Sequence, residues 1–144
     1  RKKMGEVMEA PLFTYQDKDN MGGYPAKTLQ MASCSWREMR NILSKARTMG
    51  IEHITVVTQP SDYIKSKDGR FFEIKPNRVN RERLEKLCAF INEHNKHFVS
   101  ADFSSNVDVW KNEEVENIDR FKIPTFYRNF RKIENGINQL FWNY

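Results

Sequence analysis

Three ionisable side chains in one short stretch have the types and spacing to share a reaction. Asp62, Glu73 and Lys75 flank Lys67-Asp68-Gly69-Arg70, and Asp-Gly between apolar segments is a strong hairpin signal. With Asp68 and Gly69 as the two loop residues, Lys67 pairs with Arg70, Ile64 with Glu73 and Asp62 with Lys75. Paired residues share a face, and alternation puts Glu73 and Lys75 on the same side, so the spacing predicts that two carboxylates and one ammonium converge. Such a carboxylate pair suits magnesium, with manganese as a substitute, waters and a phosphate filling the other positions. The chemistry is phosphodiester hydrolysis, in which the metal polarises the phosphate and Lys75 orients the attacking water or offsets charge on the phosphate. The same three residues also make an ordinary solvated face, with ion pairs worth under about 1 kcal/mol. Ile64, Phe71, Phe72 and Ile74 weigh toward a buried sheet, where charges are costly.

The elements that must position these residues follow from periodicity. From Ser35, Trp36, Met39, Leu43 and Ala46 recur at helical spacing with Ile42 beside them, and Gly50 stands where a helix would stop. Ser35 and Glu38 have the spacing of a capping box. His53 to Thr58 is dense in β-branched residues and predicts a buried strand, which gives His53 a structural place. Asn80 can cap a helix carrying Leu84, Leu87, Cys88 and Ile91 on one face. His97 to Ala101 predicts a further strand reached through that helical crossover, and beyond residue 105 the chain reads as helical. Pro124 suits a first turn, after which Phe126, Phe130, Ile133, Ile137 and Leu140 form an apolar stripe for the core or a subunit seam. His94 and His97 lack a Cys or acidic partner at zinc spacing and read as surface residues.

The chain of 144 residues suits one domain, with 39% apolar and 30% charged residues and a net charge of +5. No run approaches the 18 apolar residues of a membrane span, and Cys34 and Cys88 are too few for a disulfide framework, so the expected setting is the cytoplasm. Since the chain starts with Arg1-Lys2-Lys3 rather than Met, it reads as a possible fragment. Residues 1–32 read as an irregular basic lead-in or arm, 33–121 as a core, and 122–144 as a C-terminal helix packed on it or at a subunit interface. The excess charge favours a polyanionic partner. Lys65, Lys67, Arg70, Arg78, Arg81 and Arg83 surround the hairpin and suit phosphate neutralisation, or simply a solvated rim.

In this order the elements resemble the PD-(D/E)xK nuclease superfamily, whose core is a helix, a three-strand meander, a helix and a further strand. Pro60-Ser61-Asp62-Tyr63-Ile64, Lys67-Asp68-Gly69-Arg70 and Phe72-Glu73-Ile74-Lys75-Pro76 are similar to the signature of TnsA-type transposon endonuclease subunits, and also to phage head-completion proteins and junction-resolving nucleases. Ser61 separates Pro60 from Asp62, which the family pattern has adjacent. Ser33 to Glu38 resembles the helix start that supplies a further acid, and Glu116-Asn117-Ile118 a segment after the last core strand. The resemblance implies Asp62 and Glu73 as magnesium ligands, Lys75 as catalytic lysine and Glu38 as auxiliary acid. The expectation is therefore an α/β domain with a mixed sheet in the order α-β-β-β-α-β plus C-terminal helices. Its expected function is that of a metal-dependent DNA endonuclease or a subunit of one, working with DNA and as a homodimer or beside a partner subunit. The alternative is a non-catalytic nucleic-acid-binding or phage-assembly protein with the same fold.

Overall fold

A computed structural model describes residues 2–4, 7–9, 12–18, 21–66, 72–102, 104 and 121–140 of the chain. Its elements run β1 (Lys2–Met4), β2 (Val7–Glu9), β3 (Thr14–Gln16), β4 (Ala26–Thr28), α1 (Trp36–Thr48), a 3-10 turn (Pro60–Tyr63), β5 (Ile64–Ser66), β6 (Ile74–Pro76), α2 (Arg78–Glu93) and α3 (Phe126–Leu140). The architecture is mixed α/β. Among the described residues the strands pair only two at a time and antiparallel, β1 with β2, β3 with β4 and β5 with β6. No described helix is long and apolar enough to cross a membrane.

Helix α1 forms for the expected reasons. The Ser35 hydroxyl accepts the Glu38 N–H at 3.2 Å, and Glu38 accepts the Ser35 N–H at 3.3 Å, which satisfies two otherwise orphaned donors. Met39, Ile42, Leu43 and Ala46 are buried, and Gly50 at φ 71° follows the helix end in a conformation that favours glycine. Against this face pack Phe13 and Tyr15, Leu29 and Met31 around β4, and Phe121 and Ile123. Each large apolar side chain so buried contributes about 1.5–3 kcal/mol.

Part of the expected lead-in is thus core: Phe13, Tyr15, Leu29 and Met31 are buried, while residues 21–26 are exposed. Phe13, Tyr15 and Asp17 point inward while Leu12, Thr14 and Lys18 are exposed, the period-two alternation of a strand. Two expected strands do not form. The Val57 N–H bonds Leu29 O at 2.8 Å and its carbonyl accepts the Met31 N–H at 2.9 Å, so His53 to Thr58 contributes a single parallel bridge, Gln30 to Val57. Near His97, the N–H groups of His97 and Phe98 both return to His94 O, at 2.8 and 3.0 Å, and close a turn where a strand would begin.

Helix α2 begins three residues earlier than Asn80 suggests. Asn77 is the cap, its side chain accepting the Asn80 N–H at 3.3 Å, and Asn80 instead donates from Nδ2 to Asp62 O at 2.7 Å. The buried face is Asn80, Arg83, Leu87 and Phe90, which leaves Cys88 exposed. The helical reading of residues 105–120, and with it Glu116, Asn117 and Ile118, lies outside the described residues.

Candidate functional site

The β5–β6 ladder decides where the hairpin side chains go. Ile64 pairs with Pro76, Lys65 with Lys75 and Ser66 with Ile74. Relative to the expected pairing of Ile64 with Glu73, the register has moved by three residues, and an odd shift exchanges the two faces. The connection therefore spans seven residues, 67–73, instead of an Asp-Gly pair; 67–71, with Lys67 and Arg70, lie outside the described residues.

Asp62 precedes the ladder in the 3-10 turn. Its Oδ2 accepts the Gln59 N–H at 2.9 Å, so the carboxylate caps the turn. Glu73 forms a 3.3 Å ion pair with Lys75, both about half exposed, of the kind worth under about 1 kcal/mol. The expected convergence of Asp62, Glu73 and Lys75 is corrected by this register, and among the described residues no group of three or more His, Cys, Asp or Glu side chains is placed to hold a metal ion. This ladder lacks the cross-strand pairing on which the expected magnesium site rests.

The basic residues separate into distinct roles. Arg83 is corrected from a phosphate contact to a buried strut. Its guanidinium donates to Met31 O at 3.3 Å, Ala32 O at 3.2 Å, Asn80 Oδ1 at 3.0 Å, Glu134 Oε2 at 2.9 Å and Asn135 Oδ1 at 2.8 Å. No donor is left over. Lys65 is half buried, donates to the Asn138 carbonyl, and burial holds its pKa below the usual lysine range. Arg78 and Arg81 are exposed at the start of α2, whose first turn contains no acid. Cations there oppose the positive end of the helix dipole, a position that favours a bound anion.

Glu38, at the third position of α1, is turned fully inward by its capping role. Tyr15 donates its hydroxyl to Glu38 Oε1 at 2.9 Å, and Arg131 Nη1 donates to the same oxygen at 2.5 Å. The other Arg131 amino group donates to Asp17 Oδ2, which also accepts Lys27 Nζ at 3.0 Å. Two carboxylates and two cations thus compensate one another around α3's docking point, beside a cleft of about 350 Å³ lined by Ala26, Lys27, Thr28, Gln30, Ser33 and Arg131. Burial pushes the Glu38 carboxyl up, against the pull of Arg131, Tyr15 and the Ser35 N–H. Burial also acts on Asp17, but hydrogen bonds from Arg131 and Lys27 outweigh it and hold that carboxyl below the usual range. Burial raises Cys34 and Tyr15 as well, with the Glu38 charge adding to both, so neither is an activated nucleophile.

The two acids give stability opposite pH slopes. A raised native pKa means the folded chain holds the Glu38 proton more tightly than the unfolded chain, so stability falls as pH rises from the ordinary glutamate range through the raised value. Asp17 contributes stability that is complete above the ordinary aspartate range and lost as pH drops through its lowered value. Urea midpoints followed between about pH 2 and 8 should lose the first slope in Glu38→Gln and the second in Asp17→Asn. Profiles parallel to the native one would remove these assignments.

One group of side chains was not singled out by its chemistry. Arg37, Arg40, Ser44 and Arg47 form the exposed face of α1, while Glu38, the helix's only acid, points inside. Arg37 lies over the Phe130 ring at 4.4 Å, and Lys45 donates to Lys122 O at 2.5 Å. Among the described residues Arg40 and Arg47 have no side-chain partner. They are seven residues apart, about 10 Å along the axis. The signal was present, since each arginine directly follows an apolar core position, Trp36, Met39 or Ala46. Comparison with family models, with curated proteins and with solved structures returns no match to this chain.

Proposed function

We propose that the chain binds nucleic acid through its phosphate backbone, with the arginine face of α1 as the contact surface. The observation that carries this reading is the charge arrangement of that helix, three exposed arginines with the single acid turned into the core. Guanidinium groups suit phosphate oxygens in planar, bidentate geometry, and spacing along one helix lets them follow a strand without reading bases. Arg78 and Arg81 at the start of α2 add a second cationic edge, and the net charge of +5 has the sign that attracts a polyanion. The reading is binding without sequence preference.

The test is fluorescence anisotropy with duplex and single-stranded DNA at several salt concentrations. Arg40→Gln with Arg47→Gln should weaken binding about uniformly across sequences and reduce the salt slope on duplex by about 1.8, two phosphate contacts' worth. Lys86→Gln, whose parent is paired with Glu82 at 2.6 Å, removes one positive charge outside α1 and, as the control, should change little. Equal binding by the native chain and the α1 double variant would sink the proposal. Magnesium-dependent cleavage by the native chain that disappears in Glu73→Gln would replace it with the hydrolytic reading.

A further inference from the structure

The arginine face of α1 does not end at the edge of that helix. Arg37, a neighbour of Arg40 on the helix surface, lies over the Phe130 ring at 4.4 Å, and Phe126 meets Phe130 edge to face with 6.2 Å between ring centroids. Tyr127 backs one side of the Phe126 ring at 4.1 Å between centroids, yet Phe126 is 52% exposed, so its other side is open to solvent. Toward the other end of α1, Lys45 lies over the Phe121 ring at 5.0 Å and Lys122 over the Tyr24 ring at 4.7 Å, and Tyr24 is 45% exposed. Cations and rings thus alternate along the border of α1, and residues 121–133 contain no acid. Helix α3 reaches this border with its polar side turned to the domain through Arg131, Glu134 and Asn135, and its apolar side, Ile133 included, turned out.

We propose that this border takes a single-stranded nucleic acid, its phosphates on Arg37, Arg40 and Arg47 and its bases stacked on the open faces of Phe126 and Tyr24. The inference deepens the phosphate-contact reading of α1 and rests on it. An occupant that satisfies both kinds of group must bring negative charge and flat apolar faces together, and an unpaired strand has both at every nucleotide. A duplex does not, because each base face is already covered by the neighbouring pair, so the rings would add nothing to its binding. Charge decides against a second copy of this chain, since Arg37 and Lys132 beside the α3 rings and Lys122 beside Tyr24 would meet like charges. Arg37 can serve both parts of the ligand. A guanidinium over a ring face still presents N–H donors at its edge, so it can hold a phosphate without leaving Phe130.

Fluorescence anisotropy tests this with labelled strands of about 15 nucleotides, namely oligothymidine, oligouridine, an abasic strand and a blunt duplex of equal length. The native chain should bind oligothymidine at least about fivefold more tightly than the abasic strand, which keeps the phosphates and lacks the bases. Phe126→Leu and Tyr24→Leu each keep an apolar side chain without a ring. Each should weaken oligothymidine binding by at least about fivefold and leave the abasic strand and the duplex unchanged. Phe126→Trp should hold the native affinity, and Ile133→Ala, on the same outward side of α3, should alter none of the four. Stacking does not consult the sugar, so the losses should recur on oligouridine.

Equal native affinity for oligothymidine and the abasic strand overturns the proposal, and this comparison decides the matter even where a variant loses its fold. Ring-variant losses as large on the duplex as on the strand, or confined to one of the two sugars, overturn it as well. In each of these cases the phosphate contacts of α1 still stand if Arg40→Gln with Arg47→Gln weakens binding. A native chain that binds none of the four takes both readings down.

Discussion

Arg131→Met is expected to destabilise the chain by about 3–5 kcal/mol, measured as the urea midpoint at neutral pH. Among the described residues the arginine is the only cation bonded to Glu38 and one of two bonded to Asp17, and both carboxylates are buried. Removing it strands charge in a medium where an uncompensated ion costs far more than the pair contributed. Neutralising the acids in the same chain, Arg131→Met with Glu38→Gln and Asp17→Asn, should recover most of the loss. Arg131→Lys should recover little, because one ammonium cannot span two carboxylates as the guanidinium fork does. A loss under about 1 kcal/mol for Arg131→Met would mean that the network is solvated.

Arg83→Met should cost a similar amount, about 3–5 kcal/mol, with a different signature. Its loss leaves the Met31 and Ala32 carbonyls and the Asn80 and Asn135 amide oxygens without this donor, and Glu134 without its ion pair. Two of those five groups belong to α3, so amide hydrogen exchange should accelerate in α3 more than in α1. The double variant with Arg131→Met should be less than additive, because once α3 has come away the second anchor has nothing left to hold. Uniform acceleration over all three helices would place Arg83 in the general core instead.

How far the sequence carried this picture depends on the kind of residue. Helix α1 was legible from Ser35 to Gly50, because cap, period and stop signal all agreed. The Glu38 capping box was legible too, but its ion pair with Arg131 joins residues 93 positions apart, and no local pattern encodes that. Hairpin β5–β6 was found and its register was not. Asp68-Gly69 favours a two-residue loop, yet Asp62 gains a capping bond in the turn before the strand and the ladder starts from there. The inward strand residues at Phe13, Tyr15 and Asp17 escaped notice because the third is an acid, and its burial depends on cations supplied by Lys27 and by α3. The stripe on α3 was visible as a stripe; which way it faced depended on two distant arginines.

A helix fastened to its domain through guanidinium groups, amides and carbonyls has a thermodynamic character of its own. Apart from Tyr127, α3 adds little to the apolar cluster. Lifting it off would wet polar contacts far more than oily ones, so the opening should carry a small heat-capacity increment and a shallow dependence on urea. Its anchorage therefore should not fade on chilling as a greasy seam does, and partial detachment should appear in exchange experiments as a sub-global event whose rate barely responds to denaturant.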